Sequence, residues 1–127
     1  MMPYIWLDAR DATAVHDRSL VLHGGPGGVR DQGLLLSALA RPQQLAVYGE
    51  GVDRIQLAAA YTAGVVQNYP FIDGNKRTGF ILGVLFLELN GLNFIASEED
   101  AADAVLSLAA GTLEEVGYVD FLRRNAR

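Results

Sequence analysis

The chain has 127 residues, 50% of them hydrophobic, and a formal net charge of -5 from 15 acidic and 10 basic side chains. That length suits one compact domain with a real core, residues 1–127, and leaves no room for a second domain of ordinary size. The absence of cysteine excludes disulfide stapling and thiolate metal sites, and the 2 histidines, His16 and His23, show no carboxylate spacing that would complete a zinc cluster.

Met1 to Leu7, with Tyr4, Ile5 and Trp6, predicts an extended opening, a short strand or a tethered terminus. Asp8 is placed to cap a helix from Ala9 to about Leu22, with Asp11 at its third position. Its apolar positions are Ala12, Val15, Leu20 and Leu22, and His16 falls near that side as a hydrogen-bonded core or boundary residue. His23 to Val29 carries four glycines around Pro26. It lacks the Gly-Lys-Ser/Thr ending and the preceding strand of a phosphate loop, and reads as a connector or as a flap over a neighbouring site.

Asp31 predicts the next helix cap, with Leu34, Leu35, Ala38 and Leu39 on one face and Leu36 extending the apolar surface. Arg30 beside Asp31 reads as an ion pair. Pro42 is expected to end this helix by holding Arg41 extended, leaving Gln43 to Gly51 as an irregular link. Asp53 with Gln56 forms a capping pair that launches a helix through Leu57, Ala60, Tyr61, Gly64 and Val65, ending near Asn68.

Thr78 to Leu89 is apolar almost all round and predicts the most buried helix. Asn90-Gly91 stops it by left-handed capping. Ser97 with Asp100 caps a further helix, buried through Ala101, Ala104, Val105, Leu108 and Ala109 and ending at Gly111. Thr112 with Glu115 reads as the cap of a last helix docked by Leu113, Val116, Val119 and Leu122. Arg123 and Arg124 suit the negative end of its dipole as solvated residues.

Between the two most apolar helices lies Tyr69-Pro70-Phe71-Ile72-Asp73-Gly74-Asn75-Lys76-Arg77-Thr78-Gly79, the one place where aromatic, acidic, glycyl, amide and cationic groups are compressed together. Pro70 and Gly74 permit a fixed approach and a sharp turn. The first N–H groups of the helix that follows are unsatisfied and point outward, so this loop can present donors and cations to an anion. Asp73 supplies a carboxylate for a hard cation such as magnesium, which binds through one or two carboxylates and substrate phosphates. An ordinary turn between helices is the alternative, although cations at a helix start oppose its dipole unless an anion is near. Phe71 reads as a core anchor for the loop.

These residues, together with Leu7-Asp8, His16, Gly24-Gly25, Arg30-Asp31-Gln32-Gly33-Leu34, Ala38, Arg41-Pro42 and Asn90-Gly91, resemble the Fic/Doc family over nearly the whole chain, and its Doc branch most closely. The resemblance implies an all-α, compact bundle of about six helices with a central loop-helix phosphate site. It implies a toxin of a toxin–antitoxin module that uses ATP and Mg2+ to phosphorylate a threonine of translation elongation factor Tu. By the same resemblance Asp73 is the metal ligand, and Gly74, Asn75, Lys76 and Arg77 hold the nucleotide phosphates, with Phe71 beneath them. Asp73, Lys76 and Arg77 would then serve catalysis with the residue at position 69.

Adenylylating members of the family have glycine where this chain has Lys76 and a second arginine where it has Phe80. Both departures favour phosphoryl transfer. Tyr69 stands where the family has the histidine that acts as general base. Phenol titrates near 10 and imidazole near 6.5, so tyrosine is a poor base at neutral pH. The resemblance therefore implies a chain that keeps the toxin fold with weakened or absent transfer, or one reduced to binding its antitoxin. A Phd-like antitoxin and elongation factor Tu are the implied partners. Direct DNA binding is not expected from an acidic chain without a recognition helix. No apolar run has membrane-spanning length and the first residues lack a leader pattern, so a cytoplasmic protein is expected.

Overall fold

The computed structural model describes residues 4–127 as six helices: α1 (Ala9–His23), α2 (Gln32–Tyr48), α3 (Arg54–Asn68), α4 (Asn75–Leu89), α5 (Glu98–Ala110) and α6 (Glu115–Arg124). The expected opening segment lies outside the described residues for Met1 to Pro3. Tyr4 to Asp8 has no regular structure. It is tethered: the Asn90 side chain accepts from the Ile5 N–H (2.8 Å) and donates to the Ile5 carbonyl (3.0 Å). Burial pushes the Tyr61 hydroxyl up to about 12, so it stays protonated while it accepts the Leu7 N–H at 2.9 Å and donates to the Leu7 carbonyl at 3.2 Å.

The axis of the bundle is α3, in which every residue from Leu57 to Val66 is buried. It packs against α2, α4, α5 and α6, and one continuous apolar cluster runs from Leu7 to Leu122 around it. The closest packing is against α4. A Cβ on Gly83 would lie 2.3 Å from the Thr62 hydroxyl oxygen and 2.9 Å from the Ala58 carbonyl, so only glycine lets the two backbones approach. Thr62 itself donates to the Gly79 carbonyl at 2.8 Å, which fixes the register of α4 against α3 and hence the height at which α4 begins.

The expected caps at Asp8, Asp31, Asp53 and Ser97 all form, with full capping boxes at Asp8 and Asp53. Partial burial acts to raise the Asp53 carboxyl. The Arg123 guanidinium at 2.7 Å and the Gln56 amide outweigh it and hold Asp53 below the usual carboxylate range. Arg123 is thus paired, where a solvated helix end was expected.

Other expectations are corrected. Pro42 does not end α2, which continues through the expected link to Tyr48 with Pro42 buried inside it. A proline removes one N–H, here the partner of the Ala38 carbonyl, and that carbonyl faces Gly64 on α3 within close packing distance. The helix expected from Thr78 starts three residues earlier, at Asn75. The Asn90-Gly91 stop, by contrast, forms as expected: Asn90 caps α4, Gly91 has the positive φ of 97°, and the N–H groups of Gly91 and Leu92 donate back to the Glu88 and Leu87 carbonyls. Thr112 caps nothing, because its hydroxyl donates back to the Ser107 carbonyl, and α6 begins after Glu114 without a side-chain cap. The buried face of α6 is Tyr118, Phe121 and Leu122, while Val116 is 67% exposed. In α1 the buried residues are Ala12, His16 and Ser19, and Leu22 is exposed.

Replacing Gly83 by alanine should destabilise the bundle by about 1–3 kcal/mol through overpacking. Urea denaturation monitored by circular dichroism measures it, and a loss below about 0.5 kcal/mol would mean that α3 and α4 are not held this closely.

Candidate functional site

The turn from α3 to α4 is built by fixing its carbonyls. Arg30 reaches across from the α1–α2 connection, its Nε donating to the Tyr69 carbonyl (2.6 Å) and its Nη2 to that of Asn68 (2.9 Å). This replaces the expected Arg30–Asp31 ion pair: Asp31 is occupied in capping Leu34, and the exposed carbonyls at the C-terminal end of α3 attract the guanidinium. The Pro70 carbonyl accepts from the N–H groups of Arg30 (2.7 Å) and Asp31 (3.1 Å). The Asn75 side chain binds both backbone groups of Phe71 at 2.9 Å. His16 Nε2 lies 2.7 Å from the Asp73 carbonyl, and the Gly74 carbonyl accepts from Thr78 N–H at 3.0 Å.

The same bonds leave the opposite edge of the turn free. Among the described residues, none of the backbone N–H groups from Asp73 to Arg77 has an acceptor. Gly74, at φ 77° and ψ 19°, is left-handed and turns this run into a concave row of donors at the start of α4. No acidic residue sits in the first turn of α4, and Lys76 and Arg77 add two cations to the positive end of its dipole. Arg77 is loosely placed, its Nη1 3.5 Å from Ser19 Oγ.

A cavity of about 420 Å³ opens over this row, lined by Tyr69, Asp73, Gly74, Asn75, Lys76 and Arg77 together with His23, Gly24, Gly25 and Ile72. Six of the sequence-derived site residues therefore converge on one space. Phe71 does not line it: the ring is buried beneath the loop and stacks on His16 with centroids 4.0 Å apart and planes 10° from parallel. The Asn75 amide is taken up in bracing Phe71, so what Asn75 offers the cavity is its backbone N–H.

The glycine-rich segment after α1 forms a wall of the cavity. Val29 pairs with Phe71 in an antiparallel bridge, the Ile72 N–H donates to the Gly28 carbonyl at 3.1 Å, and Gly25 abuts the metal-ligand candidate. A Cβ on Gly25 would stand 2.8 Å from an Asp73 carboxylate oxygen, and its φ of 112° suits glycine alone. The sequence left this segment as a connector or a flap without assigning His23 or Gly25 to the cavity, and it did not show the Arg30 clamp. No local signal around Arg30 points to partners so distant in the chain.

Tyr69 caps α3 in the left-handed region, at φ 50° and ψ 52°, the one non-glycine residue with positive φ among those described. Such a conformation costs a side-chain-bearing residue about 1–2 kcal/mol. A residue before proline is also steered away from it. The position is held because both sides are over-determined: the Tyr69 N–H donates to Val65 and its carbonyl accepts from Arg30. Its ring, 48% exposed, stands at the cavity rim.

A second cavity, of about 650 Å³, adjoins the first and shares His23, Lys76 and Arg77 with it. It lies between α4 and α5, and its walls are largely apolar, with Phe80, Val84, Phe94 and Leu106 among them.

A sequence model described as the Fic/DOC family matches residues 6–87, which span the loop, the flap and the first four helices short of their end. Over 118 residues the chain is 30% identical to the protein named Protein kinase doc of Escherichia phage P1, covering 93% of each. It is 38% identical over 93 residues, 71% of each chain, to the protein named Toxin Doc of Mycolicibacterium smegmatis.

Removing the Asn75 amide by substitution with alanine leaves the buried Phe71 N–H and carbonyl unsatisfied. It should cost about 2–3 kcal/mol in denaturant unfolding, and a loss under about 1 kcal/mol would show that the loop is braced by other means.

Proposed function

The chain belongs to the Fic/Doc family, within its Doc-toxin branch, and from that premise we propose that it is a phosphotransferase toxin whose site takes ATP with Mg2+ and acts on a threonine hydroxyl of translation elongation factor Tu. The observation that carries this reading is the row of unpartnered N–H groups from Asp73 to Arg77, flanked by Lys76, Arg77 and one carboxylate. A polyphosphate supplies the acceptors that row lacks, and its charge answers the two cations and the α4 dipole. No cluster of three or more His, Cys, Asp or Glu that could cage a metal occurs among the described residues. That suits magnesium held by Asp73 and nucleotide phosphates, because this ion keeps few protein ligands. When bound, magnesium neutralises charge that builds up on the transferred phosphoryl group.

In the proposed reaction a bond forms between the acceptor oxygen and the γ-phosphorus, the bond from that phosphorus to the bridging oxygen breaks, and the hydroxyl gives up its proton. Lys76 acts as a point charge on the phosphates and Arg77 as a fork-shaped donor. The backbone row orients the chain of phosphates. Tyr69 occupies the position from which the proton would be taken, and a phenol is a weak base near neutrality. Its ring at the rim also narrows the approach of an acceptor. We therefore expect nucleotide binding to survive and transfer to be strongly reduced.

The apolar cavity between α4 and α5 supports a second, compatible role. An amphipathic segment of a Phd-like antitoxin, laid between these helices, would cover Phe80, Val84 and Leu106 and reach Lys76 and Arg77 at the border of the first cavity. No helix among the described residues is long and apolar enough to cross a membrane.

Two experiments test these readings. With purified elongation factor Tu, Mg2+ and labelled ATP, Tyr69→His should raise phosphate incorporation at least about tenfold over the parent chain, and adding Asp73→Ala to it should abolish the gain. No gain in a folded Tyr69→His protein overturns the transferase reading, and label from the α-phosphate in place of the γ-phosphate would redirect it to adenylylation. Leu106→Asp should weaken capture of the cognate antitoxin by about tenfold or more in a calorimetric titration while leaving nucleotide affinity intact. Unchanged capture would remove the groove from the antitoxin interface.

A further inference from the structure

His16 has no part in the transfer just described, yet it is 1% exposed and touches the site from beneath. Its ring lies flat on Phe71, its Nε2 is 2.7 Å from the Asp73 carbonyl, and the space above Gly74 that a Cβ would take is 3.6 Å from the same nitrogen. A carbonyl oxygen only accepts, so Nε2 carries the proton and donates.

The Asp73–Gly74 peptide is the weak point of the donor row. Gly74 is free to rotate about its backbone, and a flip of this one peptide would turn the Asp73 carbonyl into the anion cavity and the Gly74 N–H inward. A donor facing the phosphates would be replaced by an acceptor, and the Asp73 side chain would be redirected with it. Among the described residues, the one hydrogen bond on that peptide that opposes the flip is the one from His16. On the other side of Asp73, the bare backbone of Gly25 leaves no side chain to hold the carboxylate.

We propose that His16 is a positioning residue, which locks the Asp73–Gly74 peptide with its N–H toward the cavity and thereby sets both the anion-binding row and the direction of the Asp73 carboxylate. The proposal rests on the phosphate-binding reading of the site for its functional consequence, and on the hydrogen bond, the ring stack and the glycine at position 74 for its physical cause. His16 acts through Asp73 and Gly74 and touches no substrate.

Two substitutions separate the N–H from the ring. His16→Gln keeps a donor at comparable reach and loses the stack, whereas His16→Phe keeps a flat ring on Phe71 and loses the donor. In calorimetric titrations with Mg2+-ATP and with inorganic pyrophosphate, His16→Phe should bind at least about tenfold more weakly than the parent and His16→Gln within about threefold of it. Amide hydrogen exchange read without any ligand should show protection of Ile72 lowered at least about tenfold in His16→Phe, kept in His16→Gln, with α3 and α5 unchanged in both. Parent-like affinity and protection in His16→Phe overturn the proposal, as does an equal loss in the two variants, which marks His16 as a core filler. If the parent itself binds neither ligand, the phosphotransferase reading fails, and the exchange data alone decide whether His16 holds the loop. Should His16→Phe not fold, His16→Leu takes its place, and failure of both to fold also overturns the proposal.

Discussion

The site depends on where the carbonyls between Asn68 and Gly74 are sent. Arg30, the Arg30 and Asp31 amides, Asn75, His16 and Thr78 between them engage the carbonyls of Asn68, Tyr69, Pro70, Phe71, Asp73 and Gly74. A peptide has its N–H and carbonyl on opposite sides, so drawing the oxygens inward presents the N–H groups outward. A buried backbone group without a partner is costly. The inward bonds satisfy the backbone where Pro70, Phe71 and Asn75 are buried, and the outward donors follow from them. The positive edge of the cavity is the reverse side of a satisfied interior.

Much of this arrangement was legible in the sequence wherever the physics is local. The caps at Asp8, Asp31, Asp53 and Ser97 act on amides two or three residues away, so the pattern of the chain carries them. Asp73, Gly74, Asn75, Lys76 and Arg77 are neighbours in sequence and remain neighbours in space for the same reason. What was not legible is what the tertiary structure decides. Arg30 is beside Asp31 in the chain, but its partners lie 38 and 39 residues away. Pro42 carries a breaking signal that burial against α3 overrides, since one missing hydrogen bond is a small loss inside a long helix packed along its length. Thr112 and Glu115 have the spacing of a capping pair, and the competing acceptor at Ser107 takes the hydroxyl instead.

Tyr69 shows how strongly the surroundings impose a backbone conformation. The left-handed region is unfavourable for it, both as a residue with a side chain and as one preceding proline, and the fold holds it there regardless. The geometry of position 69 is thus a property of the α3 end and of Arg30, independent of which ring is attached. That separation lets residues of different chemistry stand at position 69 while the loop, the cavity and the flap keep their places around it.

The loop is joined to α1 through a contact spanning 57 residues of chain, from His16 to Asp73, and to the glycine segment through Val29 and Phe71. The two halves of the cavity, His23 to Gly25 and Tyr69 to Arg77, are therefore far apart along the chain. During synthesis the first helix must wait, with its histidine unmatched, until the turn ahead of the fourth has been made. A chain interrupted before its middle carries the glycine wall of the cavity without the donor row that faces it.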